Sequence, residues 1–82
     1  MNDQEILEKV SGIIQDIIGD YDIVLTPESS AEDVPEWDSM NHINIVVGIE
    51  LAFGIKFHMA ELEEAKNIGG LIELIKAQLA KS

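Results

Sequence analysis

Asp38-Ser39-Met40-Asn41-His42-Ile43-Asn44-Ile45-Val46-Val47-Gly48-Ile49-Glu50-Leu51-Ala52-Phe53-Gly54 is the stretch on which the fold turns. A helix is expected to start at Asp38 or Ser39. Asp38 is a good N-cap, because a carboxylate there accepts an N–H that the first turn leaves free. Pro35 lies upstream, where it cannot break the helix. Ile43, Val46, Val47, Glu50, Leu51 and Phe53 then predict a helix with a wide apolar face, and Gly54 ends it.

Upstream, Ile6, Val10, Ile13, Ile14 and Ile17 recur at helical spacing from about Asp3 to Ile18. Asn2 followed by Glu5 has the spacing of a capping box, and Gly19 supplies the stop. Residues 20–37 show no sustained period and contain both prolines. A connection this long in a small chain is expected to be functional or pinned to the core. Tyr21, Ile23, Val24, Leu25, Val34 and Trp37 are the candidate pins, and Ser30 to Val34 the candidate for a single helical turn. Downstream, Ile55 to Met59 reads as a link. A short acidic helix is expected at about Ala60 to Ala65, with Leu62 facing inward. Asn67 can cap a last helix whose stripe is Ile68, Leu71, Ile72, Ile75 and Leu79. Lys76 and Lys81 near its end suit the helix dipole. The expected fold is all-α: a small irregular four-helix bundle with three longer helices, a short third helix and a long first loop, formed by residues 1–82 as one domain.

Charge narrows the partners. Sixteen acidic residues against five lysines leave a net charge of −11. Phosphate binding needs clustered basic residues, so nucleic acid is disfavoured, as is an anionic membrane surface. A partner found by electrostatics is expected to carry a basic patch. At 46% hydrophobic residues the chain is apolar enough to fold despite that charge. Without cysteine, disulfides, thiolate-held zinc and a cysteine nucleophile are excluded. The acidic start, Met1-Asn2-Asp3-Gln4-Glu5, does not have the form of a signal peptide, and no apolar run reaches the length of a membrane span. A soluble, cytoplasmic monomer without membrane insertion is expected.

Few residues suggest chemistry. Ser39 and His42 stand at i, i+3 and can be neighbours on a helix, yet a hydrolase also needs an orienting acid and an oxyanion hole. Histidines in such places are more commonly polar residues at or near the surface, and the chain is expected not to be an enzyme. The acidic loop lacks the ligand spacing of an EF-hand, and no metal site is expected. Ser39 is different. A hydroxyl at a helix start after a long loop is exposed, and the free N–H groups and dipole there favour a phosphodiester. By itself, a serine in this place is more commonly a residue that merely helps cap the helix.

Asp38-Ser39-Met40, then Ile43, Val47, Ile49-Glu50, Phe53-Gly54-Ile55, Phe57 and Ile68-Gly69 through Ile75 resemble the acyl carrier protein family. The resemblance runs from about Leu25 to Ile75 without an evident gap. It implies a carrier that holds acyl intermediates as thioesters on a 4′-phosphopantetheine arm. The arm would come from coenzyme A through a phosphopantetheinyl transferase with magnesium, and would be attached to Ser39 with Asp38 as the adjacent acid and helix cap. It implies partner enzymes that load and process acyl groups, of a fatty-acid-like or specialised lipid or polyketide pathway. These would present Lys and Arg to Glu36, Asp38, Glu50, Glu61, Glu63 and Glu64, with Met40, Asn44 and Val47 alongside. It places Val47, Leu62, Ile68 and Leu71 around an acyl pocket.

The chain also departs from the family pattern. Met40 stands for the usual Leu, as in D-alanyl carriers, which keeps an aminoacyl cargo open. Trp37 replaces a smaller residue. The second helix has Asn41, Asn44 and Leu51 where fatty-acid carriers place acids, which implies a different partner set and poor use by housekeeping elongation enzymes. Leu62 and Leu71 are larger than usual and are expected to narrow the acyl cavity, favouring a short, polar or exposed cargo. Residues 20–37 and the third helix bury little apolar surface for their length and are expected to open most easily. The alternative from another class is an unmodified acidic interaction module.

Overall fold

A computed structural model describes residues 2–81. Four α-helices follow one another: α1 (Asp3–Ile18), α2 (Ser39–Phe53), α3 (Met59–Glu64) and α4 (Ile68–Lys81). A single 3₁₀ turn, Ala31–Asp33, interrupts the long first connection, and no strand occurs among the described residues. The all-α four-helix architecture is the expected one. The third helix begins one residue earlier than its sequence suggests.

Local chemistry sets the helix ends. The Asn2 side chain accepts the Glu5 N–H at 2.8 Å, and the Glu5 carboxylate accepts the Asn2 N–H at 3.1 Å. Two N–H groups of the first turn are thereby satisfied. Gly19 and Gly54 close α1 and α2 at φ 75° and 67°, a left-handed conformation that costs glycine little. The start of α4 is held differently. Asn67 Oδ1 accepts the Gly70 N–H at 2.9 Å, while the carbonyls of Ser29 and Pro27 accept the N–H groups of Ile68 and Gly69 at 2.9 and 2.8 Å. The first loop therefore supplies part of the cap of the last helix.

The core is built from single stripes. Ile6, Val10 and Ile14 come from α1, Ile45 and Ile49 from α2, and Ile68, Leu71, Ile72 and Ile75 from α4. Leu25, Val34 and Trp37 from the first loop and Ile55 after α2 complete it. Leu62 and Leu79 pack against this cluster from partly buried positions.

Three sequence expectations are corrected. Tyr21 and Val24 do not pin the loop; both are exposed. From Ile23 to Leu25 the chain has no helical structure, and burial alternates, with Ile23 half-buried, Val24 outward and Leu25 in the core. Tyr21 lies on the surface, where its hydroxyl donates to Asp16 at 2.7 Å; that hydrogen bond and the carboxylate charge hold the phenol above its ordinary pKa. The buried face of α2 is also not the expected one. Ile45 and Ile49 are fully buried, whereas Ile43, Val47 and Leu51 are exposed. Apolar residues occupy nearly every side of this helix, so periodicity could not select the face that packs.

Of the two lysines expected to suit the dipole at the end of α4, only Lys81 lies in its last turn, and Lys76 is engaged elsewhere. Its ammonium meets Asp3 at 2.9 Å and Glu73 at 3.7 Å, linking the start of α1 to α4. The hydrogen bond to Asp3, then its charge, raise the Lys76 pKa.

Gly48 lets α1 and α2 approach. A Cβ there would stand 2.9 Å from Ile13 Cγ2. Gly48→Val is expected to destabilise the fold by about 1–3 kcal/mol through overpacking, read as a lower urea midpoint with an unchanged slope.

Candidate attachment site

Ser39 is the first residue of α2, and its side chain is exposed. Its hydroxyl makes no hydrogen bond among the described residues. The turn beneath it is braced from several sides. Asp38 Oδ1 accepts the Asn41 N–H at 2.8 Å, capping the helix. Asn41 Nδ2 donates to the Glu36 carbonyl at 2.7 Å. The Trp37 indole N–H donates to His42 Nδ1 at 3.1 Å, and the two rings stack at 6.1 Å and 24°. With Nδ1 accepting, a neutral imidazole carries its proton on Nε2. His42 is thus engaged with Trp37, and no hydrogen bond joins it to Ser39.

Trp37 performs two tasks. Its ring is buried in the core, and its indole edge fixes the first turn of α2. The serine is held out from a rigid turn, while the N–H groups of Ser39 and Met40 have no intrahelical acceptor.

These features fit a phosphodiester-linked arm. The hydroxyl is accessible and uncommitted, the helix N-terminus favours an anion, and an open groove of about 280 Å³ runs past Ala31, Trp37, Asp38, Ser39 and His42. A smaller cleft of about 50 Å³ adjoins it, sharing Ala31, Trp37 and His42 and reaching Leu71.

The remaining site residues of the sequence reading fall into separate groups. Glu36, Met40, Asn44, Glu63 and Glu64 are exposed. Glu61 is half-buried with His58 Nε2 at 4.0 Å. Glu50 is half-buried, and its Oε2 accepts the Phe57 N–H at 2.9 Å, tying the link after α2 back to the helix. Of the four residues named for an acyl pocket, Ile68 and Leu71 are buried in the core and Leu62 packs against it. Val47 stands apart: it is exposed and lines a different groove near the end of α2.

Asn41 and His42 as braces of the serine turn were missed from sequence. The available signal was their spacing: each lies five residues after its partner, Glu36 or Trp37, across the helix start. Among the described residues no group of three or more His, Asp or Glu is placed to hold a metal ion, and no helix is long and apolar enough to cross a membrane.

Comparison with known proteins gives consistent relatives. The chain is 30% identical over 76 residues to the acyl carrier protein of Thermotoga maritima, covering 93% of this chain and 94% of that protein. It is 29% identical over 80 residues to the acyl carrier protein of Thermosynechococcus vestitus, covering 98% and 99%. Among solved structures it resembles the solution structure of holo acyl carrier protein from Geobacter metallireducens, with a TM-score of 0.85 and 40% identity over 92% of this chain and 86% of that one. No family model matches the chain.

Proposed function

The chain belongs to the acyl carrier protein family, and we propose that Ser39 is the residue that bears its 4′-phosphopantetheine arm. The observation that carries this assignment is an exposed serine hydroxyl, free of hydrogen bonds among the described residues, on the braced first turn of α2. When bound, the arm supplies a thiol that holds an acyl group as a thioester.

The chain's own residues then have distinct parts. Ser39 provides the oxygen for attachment. Asp38 caps α2 through Oδ1 and, as the acid next to Ser39 in the chain, would help hold the magnesium of a phosphopantetheinyl transferase. Trp37, Asn41 and His42 keep the turn rigid, which lowers the ordering cost when a transferase closes on it. Glu36, Glu63 and Glu64, with the apolar Met40 and the polar Asn44, form an exposed surface for enzymes that carry basic patches. Such pairing speeds encounter and weakens with salt. Glu50 serves this surface indirectly, since it holds Phe57. Residues 1–82 act as one carrier unit in the cytoplasm, and the charge of −11 disfavours self-association.

A short or externally held cargo belongs to the same reading. Behind Trp37 the cleft reaching Leu71 has a volume of only about 50 Å³, well below the roughly 150 Å³ of a cavity that takes up a benzene ring. Long acyl chains would have to displace core side chains.

Intact mass is the direct test. Incubation with coenzyme A, magnesium and a broad-specificity phosphopantetheinyl transferase is expected to add one phosphopantetheine per chain. Absence of any addition, on folded protein with a known carrier modified in the same tube, would overturn the assignment.

A further inference from the structure

We propose that the groove between the end of α2 and the end of α4 seats the distal carboxylate of an ω-carboxyacyl cargo, an inference that rests on Ser39 bearing the arm. The groove has a volume of about 620 Å³. Val47, Leu51 and Ile55 give it an apolar lining, and Lys56 and Lys81 supply two ammonium groups.

Charge singles this place out. The chain has only five lysines among sixteen acids, yet two of the five line one groove. Lys9 stands over the Phe53 ring at 5.0 Å, and Lys76 is paired with Asp3 and Glu73. Lys56 and Lys81 have no carboxylate within ion-pair distance among the described residues. Glu50 is the one acid of the groove, and one of its oxygens is taken by the Phe57 N–H. A strongly acidic protein therefore holds a locally cationic groove with an apolar floor. Its complement is an alkyl chain that ends in an anion.

The surface between Ser39 and the groove supports this occupant. Met40, Ile43, Val47 and Leu51 are 74%, 63%, 46% and 79% exposed. At 3.6 residues per turn they form one nearly straight stripe, on the side of α2 opposite the buried Ile45 and Ile49. Twelve residues separate Ser39 from Leu51, about 18 Å along the helix axis at 1.5 Å per residue. The stripe begins one residue after the attachment serine and ends in the groove. An alkyl group crossing it keeps apolar contact throughout.

Tethering also explains why so open a site suffices. Two surface lysines alone give a carboxylate little affinity, since exposed ion pairs are weak; apolar contact of the alkyl chain with Val47, Leu51 and Ile55 supplies the rest. A group attached to the same molecule has an effective concentration of about millimolar. With the apolar contact added to the ion pairs, a tethered carboxylate occupies a groove that the same compound free at micromolar concentration leaves mostly empty.

The test compares two cargoes of one length. Ser39 is loaded with suberyl- or octanoyl-phosphopantetheine from the corresponding coenzyme A thioester, and loading is verified by intact mass. Amide spectra of the ¹⁵N-labelled proteins are then compared. The suberyl form is expected to shift the signals of Val47, Leu51, Lys56 and Lys81 relative to the octanoyl form. That difference is expected to disappear in the Lys56→Gln, Lys81→Gln double variant and to persist with Arg at both positions. Identical spectra for the two loaded proteins, or a difference that survives the Gln pair, would overturn the inference while leaving Ser39 as the carrier residue. Equal shifts from free suberate at the protein's own micromolar concentration would reassign the groove to a diffusible ligand. Failure to load, read from the mass, overturns the carrier assignment itself and this inference with it.

Discussion

Ser39→Ala is expected to remove phosphopantetheine addition completely while the variant keeps its fold. A total loss is expected because the transferred group needs an oxygen at this position and alanine supplies none. The neighbouring hydroxyls do not substitute: Ser29 and Ser30 belong to the loop before α2, where Ser29 Oγ accepts the Thr26 N–H and Ser30 Oγ donates to Asp33. Stability should hardly change. The side chain is exposed and unbonded, the Asp38 cap does not involve it, and alanine is a good helix former. A thermal midpoint within a few degrees of the parent, together with an unmodified mass, is the expected pair of results. Addition of one phosphopantetheine to the alanine variant would show that another residue bears the arm.

The second large effect is on stability and lies two residues from its own control. Ile49→Ala is expected to cost about 2–5 kcal/mol, the range for truncating a fully buried aliphatic side chain. Ile49 has no solvent exposure and belongs to the central cluster. A chain of this size has a total stability of only about 4–12 kcal/mol, at 0.05–0.15 kcal/mol per residue. The variant is therefore expected to be partly unfolded at ordinary temperature or to lose much of its urea midpoint. Leu51→Ala removes a similar side chain from the same helix but from the solvent side, and is expected to change stability by about 0.5 kcal/mol or less. Equal losses for the two variants would mean that the exposed stripe is covered in the free protein. Far-ultraviolet dichroism during urea unfolding measures both.

That contrast also marks what could be read in the sequence. The bounds of α1 and α2 were legible because their signals are local: Asn2 with Glu5, Asp38, Gly19 and Gly54 each act within a few residues. Ser39 stood out locally only as a hydroxyl just inside a capped helix, a place where a capping role is the commoner one, and it was the resemblance to acyl carrier proteins that singled it out. The buried face of α2 was not. Ile43, Ile45, Val47, Ile49 and Leu51 are all apolar, and only packing against α1 and the rest of the core decides among them. Glu50 shows a related difficulty. Its place in the sequence suggests a surface acid, but the link after α2 folds back and gives its carboxylate the Phe57 N–H. Trp37 was legible as a loop anchor, while its hydrogen bond to His42 spans the start of the helix and required the turn itself.

The hydrogen bonds from Ile68 and Gly69 to the carbonyls of Ser29 and Pro27 bear on the order in which the chain assembles. Helices α1 and α2 each have a capping side chain close to their own starts. The first turn of α4 relies in part on a loop from the other half of the sequence, so its completion requires a long-range closure. Closing such a loop costs chain entropy before its contacts repay it. The last helix is thus expected to dock late in folding. Until it does, Ile68, Leu71, Ile72 and Ile75 have no complete core to enter, and a chain still emerging from the ribosome gains that core only once α4 is free to fold back.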